Sequence, residues 1–189
     1  MEVKGDGIHM DKVLNNLDKF VLDFVKVLEK HADYVLVSGY VSILFGRSRI
    51  SEDIDILIPK LSKKGFVDLH EDLLRGCSCL NVENLDELYD LLLSKHSIRY
   101  AKKSKVIPNM EVKFVVKEAH KQALKEKLKV FLGDNTLFVS PIELQIAYKE
   151  LVLGSPKDEE DALHLREVFK GKISKEKIKY YQELVKKDE

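Results

Sequence analysis

The chain has 189 residues, 44% apolar and 34% charged, with 32 basic side chains balancing 32 acidic ones. That apolar share supports a folded core and excludes a disordered chain, and no apolar run approaches the ~20 residues of a membrane span. A formal charge of zero also argues against a general nucleic-acid binder, which carries a basic surplus, so any nucleotide or RNA contact is expected to be local.

Residues 11–31 place Val13, Leu14, Leu17, Val21, Phe24, Val25 and Leu28 at the helical period, which predicts an amphipathic opening helix. A short apolar run over 33–38 reads as a buried strand ending at Gly39. A short helix over 40–45 follows, closed by Gly46. Asp53-Ile-Asp-Ile-Leu-Ile58 then alternates as a strand closed by Pro59. Helices are predicted over 60–74 and 84–95, and strands over 97–101 and 111–116. The last third reads as helical. Ser140-Pro-Ile-Glu143 has the pattern of a capping box with proline at the first helical position, and Ser155-Pro-Lys-Asp158 repeats it with Asp. A final helix is expected over 174–187. The alternation of element types predicts an α+β fold with a mixed sheet: a core over residues 1–117 that includes the opening helix, and a mostly helical extension over 118–189.

Cys77 and Cys79 stand one residue apart, a spacing that suits neither a zinc knuckle nor a redox pair, so free thiols are expected. With no apolar signal core at the N-terminus and no lipidation box at the C-terminus, the expected location is cytoplasmic, away from membranes. Residues 101–130 carry nine Lys against three Glu. This is a solvated face or a local phosphate-facing patch, and Lys102, Lys103 and Lys105 are its candidates for guiding an RNA.

Chemistry concentrates in residues 37–56. Side chains alternate along a strand, so Asp53 and Asp55 share one face while Ile54, Ile56 and Ile58 enter the core. Two carboxylates that close raise each other's pKa unless a cation neutralises them, and hard oxygen donors suit Mg²⁺ or Mn²⁺. Upstream, Ser38 and Gly39 end a strand and open a helix, a place where backbone N–H groups face anions such as nucleotide phosphates.

Val37-Ser38-Gly39, thirteen residues, then Asp53-Ile54-Asp55-Ile56 resembles the hG[GS]-x(9–13)-Dh[DE]h signature of the DNA polymerase β-like nucleotidyltransferase superfamily, with Ser38 in a place that signature gives to Gly. Residues 140–149 and 157–165 look like the C-terminal helices of its minimal and abortive-infection toxin branch. The resemblance implies a nucleotidyltransferase-like core with a C-terminal helical bundle. It further implies transfer of a nucleoside monophosphate from an NTP to an acceptor hydroxyl, with Asp53 and Asp55 holding metal. Glu111, in Met-Glu-Val-Lys-Phe, best matches the family's third carboxylate, which would complete a metal site and help deprotonate the acceptor. Arg47, Arg49, Lys113 and Lys149 are candidates to neutralise triphosphate charge. Asp161 falls on the inward side of its helix and needs a partner, Lys149 or a substrate group. Acceptors in such a family include tRNA ends and other RNA, protein side chains and small molecules, and a cognate antitoxin or toxin is an expected partner of that branch. The alternative is a non-catalytic nucleotide-binding or regulatory module, such as a toxin-antitoxin component.

Overall fold

The computed structural model describes residues 1–188. A hairpin of β1 (Glu2–Lys4) and β2 (Gly7–Met10) precedes helix α1 (Asn16–Leu28). That helix starts later than its apolar period suggested, because a reciprocal cap sets its end: the Asn15 side chain accepts from the Asp18 N–H, and the Asp18 carboxylate accepts from the Asn15 N–H. Val13, counted in the period, is almost fully exposed. Then come β3 (Val35–Leu36), α2 (Gly39–Leu44), β4 (Asp53–Ile58), α3 (Lys63–Leu73), β5 (Cys77–Cys79), α4 (Leu85–Leu93), β6 (Ile98–Lys102) and β7 (Asn109–Phe114). Helix α5 (Glu118–Lys125), a hairpin of β8 (Leu128–Leu132) and β9 (Asn135–Val139), α6 (Ile142–Tyr148), a π-helical turn (Lys149–Leu153), α7 (Pro156–Val168) and α8 (Lys175–Lys187) complete the chain.

Among the described residues, nine strands form one mixed sheet in the order β1-β2-β8-β9-β3-β4-β7-β6-β5. Its centre is the parallel pair β4 and β7, in register from Asp53 opposite Asn109 to Ile58 opposite Phe114. Ile54, Ile56 and Ile58 are fully buried and enter the main core with Met110, Val112 and Phe114, beneath α1, α3 and α4. Each buried isoleucine contributes about 1.5–3 kcal/mol. A one-residue slip would turn all three outward, so the facing of β4 is fixed and Asp53 and Asp55 are held on the opposite side. On that side Leu57 joins Val35 in a second cluster with Ala119, Ala123, Leu144 and Tyr181, from α5, α6 and α8.

Three sequence expectations need correction. Residues 128–139 are not helical: Gly133, at φ 59°, turns two alternating apolar runs into the β8–β9 hairpin, which pairs with β2 and β3 in the common sheet. Part of 118–189 is therefore sheet, a hairpin set between helices α5 and α6. The Ser140 box does not cap. Helix α6 starts there, but without a side-chain cap bond, and Glu143 accepts from the Ser174 N–H instead, tying α6 to the start of α8. The Ser155 box makes no side-chain cap bond either: Ser155 donates its hydroxyl to the Asp158 carboxylate, while Pro156 takes the first helical position. Cys77 and Cys79 are free thiols in β5, both pushed upward in pKa by burial. Among the described residues, no helix is long and apolar enough to cross a membrane.

Candidate active site

The turn between β3 and α2 sits at one end of a cavity of about 140 Å³. Ser38 adopts φ 62° and ψ −137°, a region that favours glycine, at a backbone cost of about 1–3 kcal/mol. Its N–H donates to Oε1 of Gln145, 2.9 Å away on α6, which holds the turn in this conformation. Gly39 is buried, and a Cβ there would run into Nη2 of Arg49 and lie 3.1 Å from its Cζ. Glycine at this position thus lets the Arg49 guanidinium lie against the backbone.

Ser38, Gly39, Arg49, Asp53 and Asp55 all line the cavity. So do Ser51, Leu153, Lys157 and Asp158, which the sequence reading left out of the site. Asp158 looked like a helix-start charge, and Lys157 is one lysine among many. Their shared signal was the Ser-Pro start of α7, which aims the first turn of that helix at the aspartates.

The aspartates are held by neighbouring side chains on the same sheet face. Asn109, opposite Asp53, donates from Nδ2 to Asp53 Oδ1 at 2.7 Å, while its own buried Oδ1 has no hydrogen-bond partner among the described residues. Lys113 donates to Asp55 Oδ1 at 2.7 Å. Glu111, directly opposite Asp55, takes Lys113 Nζ at 3.0 Å on Oε2 and Arg99 Nε at 2.7 Å on Oε1. Burial pushes the Glu111 carboxyl up, but the bonds and charges of Lys113 and Arg99 outweigh it and hold it below the usual range. For Lys113, burial works downward and the carboxylates of Asp55 and Glu111 win, so the ammonium is held charged.

A second charged cluster lies behind Arg49. Asp161, fully buried on α7, receives Arg49 Nε at 3.1 Å and Nη2 at 2.9 Å in a two-pronged contact. Lys149 Nζ lies 2.9 Å from Asp161 Oδ2 and 3.5 Å from Asp158 Oδ1. The π-helical turn begins at Lys149 and ends at Gly154, which is left-handed at φ 56°. Burial pushes the Asp161 carboxyl up, and the bonds and charges of Arg49 and Lys149 override it, leaving it below the ordinary carboxylate range. Arg47 reaches Glu160 and lies 3.6 Å from Asp161. The structure thus brings Ser38, Gly39, Arg49, Asp53 and Asp55 to one cavity. It sets Glu111 and Lys113 beside them on β7, and it places Lys149 and Asp161 behind Arg49 with no exposed surface.

Among the described residues, no cluster of three or more His, Cys, Asp or Glu side chains is arranged to hold a metal ion. The pair Asp53 and Asp55 does fit Mg²⁺, which is commonly held by one or two carboxylates together with substrate phosphates. Each aspartate engages Oδ1 in the bonds above and keeps Oδ2 outside them.

A larger groove of about 680 Å³ adjoins the cavity and shares Arg49 and Ser51 with it. It is lined by Lys19, Lys102, Lys105 and Arg49 against Asp23 and Glu52, with Phe20, Ile50 and Ile107 as apolar wall.

No protein-family model matches the sequence. No curated protein matches it in sequence either. In fold, the chain is similar to an antigenic nucleotidyltransferase-like protein from Paracoccidioides brasiliensis, at 12% identity and a TM-score of 0.53, over 89% of this chain and 86% of that one. It is also similar to the antibiotic-resistance factor ANT(2'')-Ia, at 11% identity and a TM-score of 0.56, over 89% of this chain and 90% of that one. The chain has a nucleotidyltransferase-like α+β fold, with a mixed sheet and helices gathered at its C-terminal end.

Proposed function

We propose that the protein is a Mg²⁺- or Mn²⁺-dependent nucleotidyltransferase that moves a nucleoside monophosphate from an NTP to an acceptor hydroxyl. The observation that carries this reading is the convergence of Asp53 and Asp55 on one cavity with the Ser38–Gly39 turn and the cations Arg49 and Lys157. Asp53 and Asp55 would hold the metal, which when bound supplies charge neutralisation and polarisation at the α-phosphate. The acceptor oxygen bonds to the α-phosphorus, the bond to the β-phosphate oxygen breaks, pyrophosphate leaves and the hydroxyl proton passes to solvent. Arg49, fixed by Asp161, offers an aimed guanidinium to phosphate oxygens. Lys149 supports this indirectly by neutralising Asp161. Gly39 keeps the cavity wall open for the guanidinium.

The groove supports the acceptor side of the reading. Its four cations against two carboxylates favour an acceptor with negative charge, such as an RNA end, over a polycationic one.

Calorimetric titration of the chain with NTP in the presence of Mn²⁺ separates this reading from a metal-independent nucleotide-binding module. Binding is expected to weaken at least tenfold when Asp53 and Asp55 are both changed to Ala. Equal binding by both proteins would refute the metal site. In the same preparation, Lys102→Glu with Lys105→Glu is expected to weaken RNA binding and flatten its salt dependence. An unchanged slope would return the groove to solvated surface.

A further inference from the structure

We infer that this site takes a single divalent cation, on Asp53 and Asp55, because Lys113 occupies the position between Asp55 and Glu111 that a second cation would need. The inference rests on the nucleotidyltransferase reading above and goes further, assigning Lys113 and Glu111 roles that exclude them from metal ligation.

The register places Asp55 and Glu111 directly opposite each other on β4 and β7, with side chains on the same sheet face. Two residues along, Lys113 returns to that face, and its ammonium sits 2.7 Å from Asp55 Oδ1 and 3.0 Å from Glu111 Oε2. Arg99, opposite Glu111 on β6, takes the other oxygen at 2.7 Å. Both oxygens of Glu111 are therefore in contact with cations of the chain itself. A metal bridging Asp55 and Glu111 would need oxygen distances of about 2.0–2.6 Å, which overlaps the space the ammonium fills. The charge sum agrees. Asp53, Asp55 and Glu111 contribute three negative charges and Lys113 with Arg99 two positive, leaving one negative charge for incoming cations to balance. One divalent ion reverses that sign. Two would leave a triply positive cluster before substrate arrives.

Glu111 is thereby a positioning residue that orients Lys113 and Arg99. Lys113 supplies a fixed positive charge next to Asp55. Unlike a bound ion, this charge is present at all metal concentrations.

The test is the number of Mn²⁺ ions bound per chain, read by electron paramagnetic resonance on the full chain with saturating non-hydrolysable α,β-methylene NTP. The wild type is expected to bind one ion. Lys113→Met is expected to bind two, because the pair Asp55 and Glu111 is released, and Lys113→Met with Glu111→Gln to return to one. Glu111→Gln alone, which keeps Lys113 but removes one negative charge, is expected to weaken Mn²⁺ affinity by less than tenfold and to leave one ion bound. That arm stands even if Lys113→Met fails to fold. Two ions in the wild type, or a tenfold weakening by Glu111→Gln, would overturn the inference while leaving the nucleotidyltransferase reading in place. One ion in a folded Lys113→Met would also overturn it. No ion in the wild type would overturn both.

Discussion

Two charged clusters border one cavity, and they differ in what they leave open. The sheet cluster of Asp53, Asp55, Glu111, Lys113 and Arg99 is part exposed and keeps one net negative charge. The helical cluster of Asp161, Lys149 and Arg49 is closed, with Asp161 and Lys149 buried and each oxygen of Asp161 taken by a cation. The open cluster can still receive a cation and phosphates. The closed one has its single carboxylate shared by two cations, and what it delivers is a positively charged guanidinium of fixed orientation at the cavity wall. Function and stability are thus divided between two groups of ionic residues that look alike in the sequence.

The division is broken most severely at Asp161. Asp161→Ala leaves the buried Lys149 ammonium with only the longer 3.5 Å contact to Asp158, and loss of one partner of a buried pair costs about 3–5 kcal/mol. Urea denaturation is expected to show that loss, and a change below about 1 kcal/mol would mean Lys149 finds another partner. The pH dependence has a definite sign. The folded-state pKa of Asp161 is lowered, so its contribution is complete above the unfolded value near 3.9 and is lost as pH falls through the folded value. The stability gap between wild type and Asp161→Asn should therefore stay level from about pH 7 to 5 and shrink below about pH 4. A gap that widened on acidification would contradict the assignment.

A smaller effect is expected at Gly39, against which the Arg49 guanidinium lies. In Gly39→Ala the new Cβ meets the Arg49 guanidinium and displaces it from Asp161. A misplacement of about 1 Å can cost up to a hundredfold in rate, so a ten- to hundredfold loss of transfer is expected with a melting temperature lowered only slightly. Steady-state kinetics with NTP varied would check this, and unchanged kinetics would show that Arg49 does not act on the nucleotide.

The central strand and the turn that faces it were legible because each states its own structure. Alternation fixed which way Asp53 and Asp55 point, and the Ser-Gly pair marked the end of β3. The contacts made by those residues were not legible. Nothing local to Lys113 shows that it reaches across to Asp55, because that depends on the parallel register of β4 and β7, set by isoleucines on the other face. The clamp of Gln145 on Ser38 spans 107 residues and has no local signature. Asp161 was recognised as an inward carboxylate needing a partner. Arg49 as that partner was hidden because loop arginines usually face solvent. The β8–β9 hairpin was missed for a simpler reason: a Gly-Asp turn between two alternating apolar runs was overridden by the helical signals that follow it.

The most direct measurement of the central claim is metal-dependent transfer of label from each α-labelled NTP to RNA or lysate, with pyrophosphate release followed in parallel. Wild type with Mg²⁺ or Mn²⁺ is expected to transfer label from at least one NTP. Asp53→Ala is expected to lose about 10²–10³-fold of that rate or more while remaining folded. Equal transfer by Asp53→Ala, or no transfer from any NTP by the wild type, would contradict the account.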